Sequence, residues 1–206
     1  TMTIKESYNK CAYKFEEIFM NLNLYKKFVD QFSDLLESDS KIIDIGCGPG
    51  NIMKFLKNKN KNFRLTGIDL SEEMIKLAKK NLPDCDFILQ DVTNFNNKDI
   101  YDAIILSFCI VHFTNEETEN IFKKLNHILK EYGLLYLSYI EGQKSEFIKT
   151  GFSEGNELFF NYYQSQYINN LLKINNFEII NEYRQEFPTS GNEKNFEIFV
   201  FARKNN

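Results

Sequence analysis

The 206-residue sequence has no tryptophan, three prolines, four cysteines and two histidines. Each scarcity excludes something. Cys11, Cys47, Cys85 and Cys109 are widely spaced and form no C-x-x-C pair. With only His112 and His127 beside them they make no zinc-ligand pattern, so free buried thiols and no metal are expected. There is no Pro- or Ser-rich linker and no internal repeat, which predicts one domain over 1–206. No apolar run is long enough to span a bilayer, and the longest, Ala103 to Val111, is strand-sized. Thr1 to Lys10 is polar and lacks the apolar stretch of a signal peptide, so a cytoplasmic protein with no membrane partner is expected. The net charge of −4 lacks the basic excess of nucleic-acid binders and disfavours a polyanion partner. The abundant Asn, Lys, Ile, Phe and Tyr share A/T-rich codons, and that abundance is given no function.

What is present is an alternation of short apolar strands with amphipathic helices, the pattern of an α/β sheet with parallel strands. Tyr8, Ala12, Phe15, Phe19, Leu22, Phe28, Phe32 and Leu35 predict two or three helices over residues 5–37. Strands are expected at 41–45, 63–68, 86–90, 101–107 and 134–140, with helices after the first, second and fourth. Ser71 is a good N-cap, Thr114 and Glu117 form a capping box, and that later helix is expected to stop near Gly133. Residues 141–163 have weak periodicity. A helix at 165–175, a strand at 177–186, a turn around Pro188 to Gly191 and a strand at 196–203 complete the pattern, the last two strands forming an antiparallel hairpin.

The strongest local signal is Asp44-Ile45-Gly46-Cys47-Gly48-Pro49-Gly50 at a strand-to-helix junction. Glycines there remove the Cβ atoms that would hold a ligand off the backbone, and the helix behind presents unpaired N–H groups. In an open α/β sheet, ligands bind beyond the carboxyl ends of the strands. A dinucleotide fingerprint needs its third glycine one residue later, and Pro49 removes a donor, which count against a nucleotide-dependent oxidoreductase. A P-loop is excluded because no Gly-Lys-Ser/Thr follows. Asp44 suits a ligand that carries positive charge.

This loop resembles the first motif of the class I S-adenosylmethionine (SAM)-dependent methyltransferases. Asp69 matches that family's ribose-binding acid, Gln90-Asp91-Val92 its adenine-contacting motif, Tyr101 to Ser107 its fourth strand and Gly133 to Ser138 its fifth. The likeness is good over roughly residues 40–140. It implies a doubly wound, mostly parallel α/β sheet with an antiparallel C-terminal hairpin strand and an N-terminal helical cap. The cap would be 1–37, the SAM-binding core 38–140, and the acceptor-side segment with the closing hairpin 141–206.

The resemblance also implies roles. Gly46, Cys47, Gly48 and Gly50 would line the cofactor. Asp69 would accept both ribose hydroxyls, or serve only as a helix-start residue. Leu70 and Met74 would pack on adenine or merely in the core. Asp91 and Val92 would meet the adenine edge, unless Asp91 is a plain loop acid. Asp44 and the carbonyls near Gly46 and Ser107 would hold the ammonium, and Phe108, Tyr8 or Tyr13 would face the sulfonium. Tyr8 and Tyr13 are further expected in a lid. Cys47 has no base near it in sequence and is not expected to be a nucleophile.

For the acceptor, Ser107-Phe108-Cys109-Ile110 replaces the Asn/Asp-Pro-Pro-Tyr-like motif of amino-methylating DNA enzymes, and no Pro-Cys pair points to cytosine C5. Scattered cysteines do not suit arsenite. The implied reaction is methyl transfer to oxygen or nitrogen of a small molecule. Phe108, Phe113, Phe159, Phe160, Tyr162 and Tyr163 would wall an apolar acceptor pocket, with further aromatics at Phe152 and Tyr167, and His112 is the best-placed base. A SAM-binding regulator or scaffold without catalysis is the alternative.

Overall fold

In the computed structural model the described residues are 2–187 and 194–206. The expected turn at Pro188 to Gly191 lies outside them.

Seven strands form one sheet: β1 (Lys41–Ile45), β2 (Arg64–Asp69), β3 (Asp86–Leu89), β4 (Tyr101–Ser107), β5 (Leu129–Ile140), β8 (Phe177–Phe187) and β9 (Asn195–Lys204). Their order is β3-β2-β1-β4-β5-β9-β8. The first five are parallel, while β9 runs antiparallel to both β5 and β8. The order in which strands are added reverses between the parallel neighbours β1 and β4, the switch point at which an open sheet leaves a crevice. The central strands β1 and β4 are largely buried because both faces are covered.

Two helices precede the sheet, α1 (Ile4–Phe19) and α2 (Lys26–Ser33), separated by a single 3-10 turn. Thr3 and Glu6 close a capping box on α1. Next come α3 (Asn51–Lys59), α4 (Glu72–Asn81), α5 (Asn115–Ile128) and α6 (Ser165–Ile174). Ser71 caps α4 and the Thr114–Glu117 box caps α5, both as the sequence predicts. One core layer packs α2 and α3 on Ile42, Ile105, Tyr136, Phe199 and Phe201. The other packs α5 and α6 on Ile43, Ile104, Leu135 and Val200.

Two expectations are corrected. The helix predicted to stop near Gly133 ends at Ile128, and β5 begins at Leu129. Leu129 pairs with Tyr101 and Leu134 with Ala103, so a bulge separates them. Tyr132 takes a left-handed conformation there (φ 61°), and a Cβ on Gly133 would stand 2.7 Å from Leu129 Cγ. Gly133 is therefore a bulge glycine, not a helix stop. Residues 141–163, weakly periodic in sequence, contain an antiparallel pair, β6 (Ser145–Lys149) and β7 (Glu157–Asn161). Its alternation is hard to read because Phe147 is 55% exposed while Phe159 is also only half-buried.

Candidate functional site

The glycine loop leaves β1 under constraint. Gly46, Gly48 and Gly50 all have positive φ, at 77°, 53° and 83°. The N–H groups of Gly46 and Cys47 both donate to the Ile68 carbonyl (2.8 and 2.9 Å), and the Gly48 N–H donates to Asp69 Oδ2 at 2.8 Å. A Cβ on Gly46 would sit 2.9 Å from Cys109 Sγ. The loop thus needs glycine for backbone angle and for close approach.

Asp69 does two jobs. Its Oδ2 holds Gly48, and its Oδ1 accepts from the Ser71 N–H at 2.9 Å. Burial raises its pKa, and the N–H groups of Ser71, Gly48 and Leu70 pull it back. Each oxygen keeps lone-pair capacity for a hydroxyl.

Asp44 is the electrostatic anomaly. It is 3% exposed, and its Oδ2 has no partner among the described residues. Burial, with Asp69 nearby, raises its pKa to about 8. A buried carboxylate lacking a cation is costly and demands one. The ammonium of a methionine moiety would supply one, so the residues present fit SAM.

Beyond β2 and β3 a cleft of about 470 Å³ is lined by Leu70, Leu89, Gln90 and Asp91, with Thr3 to Lys5 of the N-terminus opposite. Asp91 is exposed, and its Oδ1 accepts from the Thr93 N–H and hydroxyl, capping a 3-10 turn that begins at buried Val92. Met74 is 1% exposed and packs with Ala12 and Leu77 beneath α1.

Helix α1 lies across the loop. Tyr8 and Phe15 face inward, and a Cβ on Gly48 would lie 3.6 Å from Phe15 Cε1. Sequence reasoning missed Asn9, whose Oδ1 accepts from the Ser71 hydroxyl at 2.7 Å and the Glu73 N–H at 3.3 Å. Lys5 pairs with Glu72 at 2.7 Å. Their i, i+4 spacing on α1 was the available signal, but nothing in the sequence names α4 as the partner. Tyr13 is not brought to the site. It is 65% exposed on the outer side of α1, because the inward face is spent on Tyr8, Ala12 and Phe15.

On the acceptor side Ser107 pairs its hydroxyl with that of Ser138 at 3.2 Å. Phe108 follows with φ 48°, an unusual angle for a bulky residue, its N–H bonded to Ser138. His112 sits between α1 and β7. Its Nδ1 meets the Phe159 carbonyl at 2.8 Å, so Nδ1 carries the proton and donates. Nε2 is then the acceptor for the Tyr8 hydroxyl, at 2.6 Å. Burial lowers the His112 pKa to about 4. Phe160 stands edge-on to His112 (4.9 Å), and Phe152 stacks on Tyr8 (6.0 Å) while meeting Phe15 and Phe19 edge-on.

The remaining sequence candidates separate into other tasks. The Phe159 ring packs on Phe147, so only its carbonyl meets His112. Tyr163 spends its hydroxyl on Thr118 and the carbonyls of Ile110 and Phe113, bracing the loop after β4. Tyr162 donates to Glu146 at 2.8 Å. Cys47 is 2% exposed, and burial pushes its thiol pKa well up, the wrong direction for a nucleophile.

Comparison with known proteins agrees with this geometry. Residues 42–133 match a family described as methyltransferase domain. A protein of Invertebrate iridescent virus 6 named as a methyltransferase, 235L, is 31% identical over 136 residues, 66% of this chain and 49% of that one. The tRNA N(3)-methylcytidine methyltransferase trm140 of Schizosaccharomyces pombe is 30% identical over 158 residues, 66% of this chain and 52% of that one. The chain thus spans about half the length of these curated relatives. Among solved structures, magnesium protoporphyrin IX methyltransferase from Synechocystis PCC 6803 with bound S-adenosylhomocysteine (SAH) superposes with a TM-score of 0.72 at 18% identity, covering 98% of this chain and 97% of that one. Residues 42–133 thus match a methyltransferase domain, and the strand order, the glycine loop and the acids at the ends of β1 and β2 belong to the class I, Rossmann-like fold of the SAM-dependent methyltransferases.

Proposed function

We propose that the protein transfers a methyl group to an oxygen or nitrogen atom of a small-molecule acceptor. The carrying observation is Asp44, a buried carboxylate with an orphan oxygen among the described residues, beside a glycine loop that Asp69 braces through the Gly48 N–H. SAM, when bound, supplies a methyl carbon on a good leaving group, so the protein's work is alignment and water exclusion.

In this reading Asp44 receives the ammonium, Asp69 the ribose hydroxyls, and Leu70 and the Asp91–Val92 turn border the adenine. The rings of Tyr8, Phe15 and Phe152 and the β6–β7 pair exclude water from the acceptor side. His112 takes the acceptor's proton, through Tyr8, onto Nε2. A base of low pKa is deprotonated at any working pH but has little driving force, so its contribution belongs near about 10², the low end for such groups.

A small acceptor is supported by the apolar, acid-flanked surroundings and the net charge of −4. A tRNA acceptor is the second reading, favoured by the likeness to trm140. Calorimetry with SAM, SAH and NAD tests the cofactor. Turnover of a radiolabelled methyl group, offered to a metabolite panel and separately to bulk tRNA, tests the acceptor. Tighter NAD than SAM binding overturns the cofactor assignment, and labelling of tRNA alone overturns the small-molecule acceptor in favour of tRNA. SAM binding with no turnover on either panel favours the regulator reading.

A further inference from the structure

A second buried carboxylate stands at the same sheet edge. Because β9 is antiparallel to β5, its starting end lies at the carboxyl ends of the parallel strands, and Glu197 pairs there with Ile140, the last residue of β5. Glu197 is 4% exposed. Its Oε1 accepts from the Tyr25 hydroxyl at 2.8 Å, but its Oε2 has no hydrogen-bond partner among the described residues. No lysine, arginine or histidine among those residues pairs with it. Lys194 is engaged with Glu186 and Arg184 with Glu141. Gln185, opposite in the strand register, comes near the carboxylate, yet its amide nitrogen completes no hydrogen bond either.

The surroundings connect this carboxylate to the reaction edge. The Tyr25 ring lies 5.4 Å from Phe108, the residue directly after β4, and 6.0 Å from Phe199. Phe108 meets Phe199 edge-on at 5.7 Å. The Tyr136 hydroxyl, also buried and without a hydrogen-bond partner among the described residues, lies within electrostatic range of Glu197, Tyr25 and Asp44. Two acids, an unspent phenol and three rings thus stand together between the glycine loop and β9. The cofactor's ammonium would account for Asp44, and no cation among the described residues accounts for Glu197. Buried charges are kept where they are paired, and aromatic faces favour a cation in addition.

We propose that Glu197, held by Tyr25, is the acceptor-recognition residue and that the acceptor carries a cationic nitrogen, the class of small primary or secondary amines. The inference rests on the methyltransferase reading above and narrows its acceptor. Tyr25 fixes Oε1 and leaves Oε2 for an N–H of the ligand, while the half-buried Phe108 ring packs on its carbon skeleton, backed by Phe199, whose own face is stacked on Phe28.

The test is calorimetry of the SAH-loaded protein with benzylamine and 2-phenylethylamine against their neutral counterparts, benzyl alcohol and 2-phenylethanol. The amines are expected to bind at least about tenfold more tightly than the alcohols, as one charge-assisted hydrogen bond implies. In Glu197→Gln that preference should vanish while SAH affinity and melting temperature hold. Tyr25→Phe, which keeps the ring, should weaken the amines and spare the alcohols. Amines binding no better than alcohols, or a preference surviving Glu197→Gln, overturns the proposal. So does a Glu197→Gln loss of SAH affinity equal to the amine loss, which would put Glu197 in the cofactor site. Failure of the wild type to bind SAH is a separate result, and it overturns the methyltransferase reading instead.

Discussion

Tyr8 on α1 donates its hydroxyl to Nε2 of His112, 104 residues later, and so ties the N-terminal helix to the loop after β4. The other ring nitrogen is tied to β7 through the Phe159 carbonyl. One imidazole therefore joins three separate segments over the site, and it can do so only while neutral. Protonation would make both nitrogens donors and leave Tyr8 without its acceptor.

That gives a pH prediction with a definite sign. The folded pKa, about 4, lies below the ordinary value of 6.5. The neutral form is favoured in the folded state, so its stabilisation is fully present above about pH 6.5 and is lost as pH falls toward 4. The full effect is roughly 3 kcal/mol. Protection factors across residues 4–19, corrected for the pH dependence of intrinsic exchange, should be lower at pH 5 than at pH 7.5, and Tyr8→Phe should flatten the difference. Equal protection at both values would separate α1 from His112.

Asp44 yields a second prediction from the opposite shift. Its pKa is raised to about 8, so much of the ligand-free protein carries a proton there at neutral pH. A cationic ammonium beside Oδ2 lowers that pKa, so binding SAM releases a proton. Affinity should fall as pH drops below about 8. Calorimetry at pH 7 in two buffers of different ionisation enthalpy should return proton release, and Asp44→Asn should abolish it. An unchanged proton count in the variant would assign the release to another group.

Much of this arrangement was legible in the sequence because local rules govern it. The Ser71 cap, the Thr114–Glu117 box and the three glycines act within a few residues of themselves, and each is where the sequence puts it. Gly133 misled because glycine serves equally as a helix stop and a bulge, and only the pairing of β5 with β4 decides between them. Asn9, Tyr25 and Glu197 were invisible for a different reason. Their meaning lies in partners 62 and 172 residues away, Ser71 for Asn9 and Glu197 for Tyr25, and no spacing rule encodes such distances. Tyr13 failed because an aromatic on an amphipathic helix carries no mark of which flank the fold will cover.

Asp69 is expected to fail twice when removed. In Asp69→Ala the Gly48 and Ser71 N–H groups lose their acceptor, which should cost about 2–4 kcal/mol of stability from two buried donors left unpaired. SAM affinity should fall by a similar amount through the lost ribose acceptor. Thermal unfolding separates the two losses: a variant that melts normally yet binds poorly has lost only the ribose contact. A variant normal in both would place the ligand elsewhere.

The last prediction concerns Gly48, where the two requirements on the loop can be told apart. Its φ of 53° disfavours any side chain with a Cβ branch, and a Cβ there would point at Phe15, 3.6 Å away, across the space α1 covers. Gly48→Ala should lose stability by about 1–2 kcal/mol, the cost of holding a side-chain-bearing residue in the left-handed region. The methyl group should fit beneath α1. Gly48→Val should lose more, and should also push Phe15 and lift α1 from the loop. The two variants then differ in kind. Alanine lowers the melting temperature with protection of α1 retained, whereas valine also exposes residues 4–19 to exchange and weakens SAM binding. If valine binds SAM as alanine does, the ligand does not run between the glycine loop and α1, and the cleft beyond β2 and β3 would have to hold it alone.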